Sequence, residues 1–278
     1  MITIWVPKRL VEIDLYNIAA RSPEALAEMS ERSYRERVRY AAEKVRFSGT
    51  KIVMFTGPSA SGKTTSAHKL AEELIRQGTP AHVVSLDNFF RGAEFYPRMP
   101  DGTLDYENPD TMDLPLIRQC LRELSETGKT VLPIYDFTSE KRSDATEPVD
   151  LQGGVCIVEG IHALNDDIAG RHPETAKLYI SARSNVNEGS ALRFKGTWMR
   201  LVRRAVRDYS FRGTGVADTL KLWANVRRGE KLYISPYKNR ADIVFDSSLP
   251  YEVSVMRHYA QPLREAIPQG NVRRQEML

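Results

Sequence analysis

Eight consecutive residues, Gly57-Pro58-Ser59-Ala60-Ser61-Gly62-Lys63-Thr64, fit the pattern G-x-x-x-x-G-K-[ST] in full. Glycines at both ends of such a run let the backbone curl so that several N–H groups point at one anion. A helix that begins at Lys63 adds the partial positive charge of its N-terminus. The lysine ammonium then reaches the β- and γ-phosphates of a nucleotide, and the Thr64 hydroxyl is a ligand for Mg²⁺. Thr65 extends the run. The chemistry this pattern supports is binding of ATP or GTP with magnesium.

Two acids stand where such a loop could use them. Asp87 follows an apolar run in Ser85-Leu86-Asp87-Asn88-Phe89-Phe90. In an open parallel sheet the strand ends face the ligand crevice, so Asp87 could orient or deprotonate an acceptor hydroxyl. An aspartate that merely opens a turn fits the same pattern. Glu159 ends the run Val155-Cys156-Ile157-Val158, which suits an acid holding Mg²⁺ directly or through water. His162 follows it and reads as a hydrogen-bonded structural residue.

The remaining charge is concentrated. The chain of 278 residues carries a net charge of +4, yet between Arg193 and Arg240 thirteen Lys/Arg face three Asp/Glu, a local +10 that leaves −6 for the rest. Arg200, Arg203, Arg204 and Arg207 share one helix face, with Arg212 beyond them. Guanidiniums so arranged repel one another unless an anion lies between them. A lid clamping the transferring phosphoryl group supplies that anion. Nucleic-acid backbone binding is the competing reading, but few aromatic residues interleave the basic ones to stack bases.

The elements that must position these groups alternate. Strand runs are expected at Ile52–Thr56, Ala81–Leu86, Val131–Ile134, Val155–Glu159, Lys177–Ser181 and Ile243–Phe245. Helices are expected at Lys63–Gln77, Leu114–Thr127, Ala163–Gly170, Thr197–Tyr209, Ala217–Arg228 and Val253–Ala266. This order implies a parallel sheet with helices on both faces. Ahead of it, Ile2–Val6 reads as a short strand. Ser22-Pro23-Glu24 opens a helix whose apolar positions Leu26, Met29, Tyr34, Val38, Ala41 and Val45 run to Gly49. Residues 1–48 are thus expected as a helical extension and 49–278 as the catalytic domain. Apolar runs are far shorter than a membrane span, and charges break any leader-like core near the N-terminus. Cys120 and Cys156 are too few for a disulfide framework or a zinc site. A cytoplasmic protein without membrane or nucleic-acid partners follows as the expectation, with a homo-oligomer open.

Taken together, the motifs resemble the uridine kinase / phosphoribulokinase family of P-loop kinases. The resemblance spans about residues 50–265. It rests on the phosphate loop, the Ser85–Phe90 run, Glu107-Asn108-Pro109-Asp110-Thr111-Met112-Asp113, Pro133-Ile134-Tyr135-Asp136-Phe137, Val158-Glu159-Gly160-Ile161-His162 and Arg203-Arg204-Ala205-Val206-Arg207-Asp208. It implies a three-layer α/β/α P-loop fold with an arginine-bearing lid helix. The implied reaction is ATP-dependent phosphorylation of a hydroxyl on a sugar or nucleoside. Asp87 is then similar to the catalytic base, Lys63 and Thr64 to the phosphate and Mg²⁺ groups, and Glu159 to the metal-side acid. Arg203 and Arg207 are similar to lid arginines, and Tyr135 to the aromatic beside a nucleoside base. The acceptor pocket is expected around Glu107, Tyr135, Glu140 and Arg142. Two positions depart from uridine kinases: Glu107 stands in place of an aspartate that binds ribose hydroxyls, and Glu140 in place of a base-contacting histidine. A carboxylate only accepts hydrogen bonds, whereas a neutral imidazole also donates. Gly160-Ile161-His162 leans toward phosphoribulokinases, and Ser184–Lys195 looks longer than the family's usual connection into the lid. A nucleoside kinase is the expected function. The alternatives are a kinase for another sugar, sugar phosphate, polyol or hydroxy acid, and a nucleotide switch or nucleic-acid-dependent ATPase.

Overall fold

The computed structural model describes residues 10–265 and 267, apart from 138, 173 and 183. The expected strand at Ile2–Val6 lies outside the described residues. Chain order gives β1 (Leu10–Glu12), α1 (Ile13–Ala19), α2 (Pro23–Ser48), β2 (Ile52–Thr56), α3 (Lys63–Arg76) and β3 (Ala81–Ser85). There follow α4 (Leu114–Thr127), β4 (Lys129–Asp136), β5 (Lys141–Asp150), β6 (Val155–Glu159), β7 (Ala176–Ser181), β8 (Asn185–Glu188) and β9 (Ala191–Phe194). Last come α5 (Gly196–Phe211), α6 (Val216–Gly229), β10 (Ile243–Asp246) and α7 (Glu252–Glu265).

Five strands pair in the order β10-β7-β2-β6-β3, every pair parallel. The sheet is buried on both faces because side chains alternate along each strand. Ile52 and Met54 of β2 face Ile117, Leu121 and Leu124 of α4 in one core. Val53 and Phe55 face Leu70 and Leu74 of α3, together with Val38, Ala41, Ala42 and Val45 of α2, in the other. The N-terminal helix therefore contributes to the covering layer. Its expected apolar position Met29 is instead 56% exposed. A third core joins α5, α6 and α7 through Leu201, Val202, Leu220, Trp223, Ala260 and Leu263. No helix among the described residues is long and apolar enough to cross a membrane.

Three expectations change. Val131–Ile134 is part of an eight-residue strand, β4, antiparallel to a ten-residue partner, β5, that has no apolar alternation to announce it. Ala163–Gly170 is not a helix: the Asn165 side chain accepts from Asp167 N at 2.9 Å, an Asx turn, and only a short 3₁₀ turn forms at Ala169–Arg171. The long connection after β7 is the β8–β9 hairpin, which adds β1 as a parallel third strand.

Candidate active site

β2 is the central strand, and its C-terminal end opens straight into the phosphate loop. A Cβ on Gly57 would lie 2.1 Å from the Ile180 carbonyl oxygen, so the loop root is pressed against β7. Ala60 and Gly62 take φ of 57° and 81°, turning the backbone into α3. The Thr56 hydroxyl donates to the carbonyls of Gly160 at 2.9 Å and Ile161 at 2.7 Å, tying the loop root to the end of β6. Pro58, Ser59 and Ser61 are buried, and the Ser61 hydroxyl has no hydrogen-bond partner among the described residues. Thr64 and Thr65 are exposed at the helix start.

Three acids from three elements converge on Lys63. Burial pulls its pKa down, while the Glu159, Asp87 and Glu107 carboxylates oppose that shift. Its ammonium donates to the Pro58 carbonyl at 3.4 Å. Glu159, 3% exposed, accepts from the Thr64 hydroxyl at 3.2 Å and the Ser85 hydroxyl at 2.9 Å. Burial pushes the Glu159 pKa up, opposed by Lys63. The Asp87 backbone N–H donates to the same Ser85 hydroxyl at 3.3 Å, which caps the turn Leu86–Phe89. Ser85 was not singled out in the sequence, although a serine two places before an acid at a strand end is a capping signal.

The third of these acids is Glu107. Its carboxyl is buried and carries an unpartnered oxygen, Oε2. Burial pushes its pKa up to about 7, against Arg204 and Lys63. A Cβ on Gly229 of α6 would come within 2.2 Å of the Glu107 Cβ, so α6 packs directly on this residue. His162 is 1% exposed, and neither ring nitrogen has a well-formed hydrogen bond among the described residues. Burial pulls its pKa down to about 4, with the Glu107 backbone opposing. Beside it, Tyr233 donates to Asp105 at 3.3 Å and accepts from the Asn108 amide at 3.2 Å, and Arg228 pairs with Asp105 at 3.1 Å. Only Asn108 of these four belonged to a quoted motif; the others come together through the fold.

Tyr135 stands in an aromatic group. Phe90 lies 5.5 Å from Tyr135, 6.1 Å from Tyr96 and 6.3 Å from Phe137, centroid to centroid, and Tyr96 lies 5.5 Å from Tyr106. The Tyr96 and Tyr135 hydroxyls are 3.2 Å apart. Glu140 is exposed at the β4–β5 turn, where its charge helps raise the pKa of Tyr96, Tyr106 and Tyr135. Arg142 does not point free into a pocket. It pairs with Asp113 at 3.1 Å and donates to the Phe90 carbonyl at 3.4 Å, bracing the aromatic group.

The arginine face carries more positive charge than the three carboxylates beside it, Glu230, Asp208 and Glu252, offset. Arg200, 1% exposed, pairs with Glu230 at 2.7 Å and donates to the Ser59 carbonyl at 3.2 Å; Arg227 shares Glu230. Arg203 pairs with Glu252 and donates to the carbonyls of Ala60 and Ser247, each at 3.4 Å. Arg204 pairs with Asp208 at 3.2 Å and donates to the Ser59 hydroxyl at 2.8 Å. These three arginines hold the phosphate loop from α5. Arg207 pairs with Asp208 at 2.8 Å, and its charge also pulls the Lys63 pKa down. Arg212 lies 5.7 Å over the Phe137 ring with Asp87 within its electrostatic reach.

Residues 52–254 match the profile of the "Phosphoribulokinase / Uridine kinase family". The uridine kinase of Lactobacillus johnsonii is 28% identical over 208 residues, covering 73% of this chain and 90% of the relative. That of Borrelia turicatae is 30% identical over 196 residues, covering 70% and 85%. Among solved structures, a kinase from Silicibacter sp. TM1040 ascribed to fructose transport gives a TM-score of 0.57 at 20% identity, covering 75% of this chain and 98% of its own.

Proposed function

From the premise that this chain belongs to the phosphoribulokinase / uridine kinase family of ATP-dependent small-molecule kinases, we propose that it phosphorylates a hydroxyl group of a nucleoside. The observation that carries this reading is the aromatic group of Phe90, Tyr96, Tyr106, Tyr135 and Phe137, tied to the residue after Asp87 by the Tyr135 N–H donating to Asn88 Oδ1 at 3.5 Å. Aromatic faces stack on planar bases. The curated relatives named above are uridine kinases, which supports the same class.

MgATP supplies the electrophilic γ-phosphoryl group. The residues present fit it: a half-buried lysine, a loop turned by Ala60 and Gly62, and a Ser61 hydroxyl without a partner among the described residues. Lys63 neutralises the phosphates. Thr64 and Glu159, already bonded to each other, would hold Mg²⁺ with hard oxygen ligands. Asp87 takes the proton from the acceptor hydroxyl. Arg207 balances negative charge at the transfer centre, and α5 with α6 excludes water from it. Glu107 meets the acceptor hydroxyls, while Tyr135 and Phe90 meet its base.

A second reading rests on Arg212, a guanidinium held over Phe137 whose charge is felt at Asp87. It suits an acceptor bearing a phosphate or carboxylate, such as a sugar phosphate or hydroxy acid. An ADP-release assay over nucleosides, sugars, sugar phosphates and hydroxy acids separates the two. A nucleoside is expected to give the highest kcat/KM. Turnover confined to anionic acceptors would move the assignment to the second reading.

A further inference from the structure

The N-terminal helix lies outside the matched residues 52–254, yet it reaches the phosphate loop by two routes. On the first, the Tyr34 hydroxyl is 2.6 Å from the Ser66 hydroxyl, in the first turn of α3. Ser66 N bonds in turn to the Gly62 carbonyl at 3.0 Å. Tyr34 is fixed by an edge contact with Phe245 at 5.6 Å and by Arg37, 5.7 Å above its ring.

The second route runs through the segment after β10. The Tyr251 hydroxyl donates to Glu31 at 2.5 Å, and Arg37 donates to the Ser248 carbonyl at 3.3 Å. Within the same segment the Ser247 hydroxyl donates to the Ser61 carbonyl at 2.6 Å. Glu252 holds Arg203, which donates to the Ala60 carbonyl. The second half of the loop, Ala60 to Gly62, is thus held from outside by Ser247 and Arg203–Glu252, whose chain neighbours Ser248 and Tyr251 α2 holds. Tyr34, Glu31 and Tyr251 contact the loop only through other residues, and none of these contacts touches Glu107 or the aromatic group.

We propose that α2 is a positioning element for nucleotide binding, and that the Tyr34–Ser66 and Glu31–Tyr251 contacts set the affinity for MgATP. This rests on the reading that the loop binds ATP. Loop N–H groups bind phosphate well only when held in the bound shape beforehand, so loosening their outer supports lowers affinity for the nucleotide alone. Losing one supporting hydrogen bond corresponds to about a 2- to 10-fold change in Kd.

The test is titration of the full chain with a fluorescent MgATP analogue, alongside KM for ATP and for the acceptor and the thermal midpoint. Tyr34→Phe and Glu31→Ala are each expected to raise the analogue's Kd by about 2- to 10-fold. KM for the acceptor stays unchanged. Glu31→Gln, whose amide oxygen still accepts from Tyr251, restores binding. Arg32→Ala, on the exposed face of α2, leaves it unaltered. An unchanged Kd in Tyr34→Phe and Glu31→Ala, with or without a lowered thermal midpoint, makes α2 a structural layer only and overturns the proposal. So does an equal rise in both KM values. If the wild-type chain itself fails to bind the analogue, the reading of the loop falls first.

Discussion

At Asp87 the chemistry depends on a proton moving between oxygens. The carboxylate sits in the field of Lys63, and its backbone is fixed by Ser85. Replacing it by asparagine keeps size and polarity but removes the base. Asp87→Asn is expected to lower kcat by at least about 10²-fold, within the range typical of a positioned acid or base. Kd for MgATP should stay within a few-fold, because no loop contact is lost. Near-wild-type turnover would remove Asp87 from its role. Glu107 and His162 carry a different signature, in stability. Glu107 titrates near 4.5 when unfolded and about 7 when folded, so the folded state binds the proton more tightly and stability falls as pH rises through that window. His162 goes from 6.5 unfolded to about 4 folded, so the unfolded state binds the proton more tightly and stability rises through about pH 4 to 6.5. The two slopes largely cancel in the native chain. In Glu107→Gln the His162 slope stands alone. The stability difference between variant and wild type should then grow in the variant's favour from pH 4.5 to 7, by up to about 3 kcal/mol at ~1.4 kcal/mol per pKa unit. Urea unfolding at several pH values reads this directly, and a pH-independent difference contradicts it.

Between elements, the contact that most constrains the acceptor side is α6 against Glu107. Gly229 leaves no room for a methyl group: an added Cβ would meet the Glu107 Cβ at 2.2 Å. Gly229→Ala is expected to cost about 1–3 kcal/mol by overpacking and to raise KM for the acceptor, leaving KM for ATP near its native value. A variant with both KM values intact would show that Glu107 is not held by α6. Glu107 was legible as an acceptor-side residue, but its contact with Gly229 was not, because a contact spanning 107 to 229 leaves no local pattern. What was visible follows short-range rules. β2, β6 and α4 occupy the residues expected, since apolar runs end at glycines and Asp113 caps α4 by accepting from Leu116 N at 3.1 Å. The phosphate loop was legible for the same reason: its function needs residues adjacent in the chain. β5 was not, since Lys141–Asp150 is mostly exposed and its ladder with β4 substitutes for a buried face. The partners of the basic face were hidden too. Glu230 and Glu252 lie 30 and 49 residues from Arg200 and Arg203, and only the packing of α5 on α6 and α7 brings them together.

Over the whole molecule, those pairings change what a local +10 means. Glu230 and Asp208 neutralise arginines from within the basic stretch, and Glu252, Asp105 and Asp166 do so from outside it. Part of the positive charge joins α5 and α6 to the loop and the acceptor side, and with the three outside acids counted the stretch still carries +7. The same view bears on the N-terminal helix. A separable extension would bury its apolar face without altering the core beneath. Here Val38, Ala41, Ala42 and Val45 share one core with Val53 and Phe55 of the central strand and Leu70 and Leu74 of α3. Leu26, Val38 and Val45 are all at most 6% exposed. Burying three such side chains contributes roughly 1.5–3 kcal/mol each, together comparable with the ~5–15 kcal/mol net stability of a typical domain. A chain shortened to residues 49–278 also loses the Tyr34–Ser66 contact beneath the phosphate loop. That chain is expected to be insoluble, or to unfold cooperatively more than about 10 °C below the full chain, a shift of ~2–4 °C per kcal/mol being usual at this size. Differential scanning calorimetry of both chains decides it: equal midpoints would make residues 1–48 a dispensable appendage, whereas the expected gap makes α2 a layer the kinase fold cannot do without.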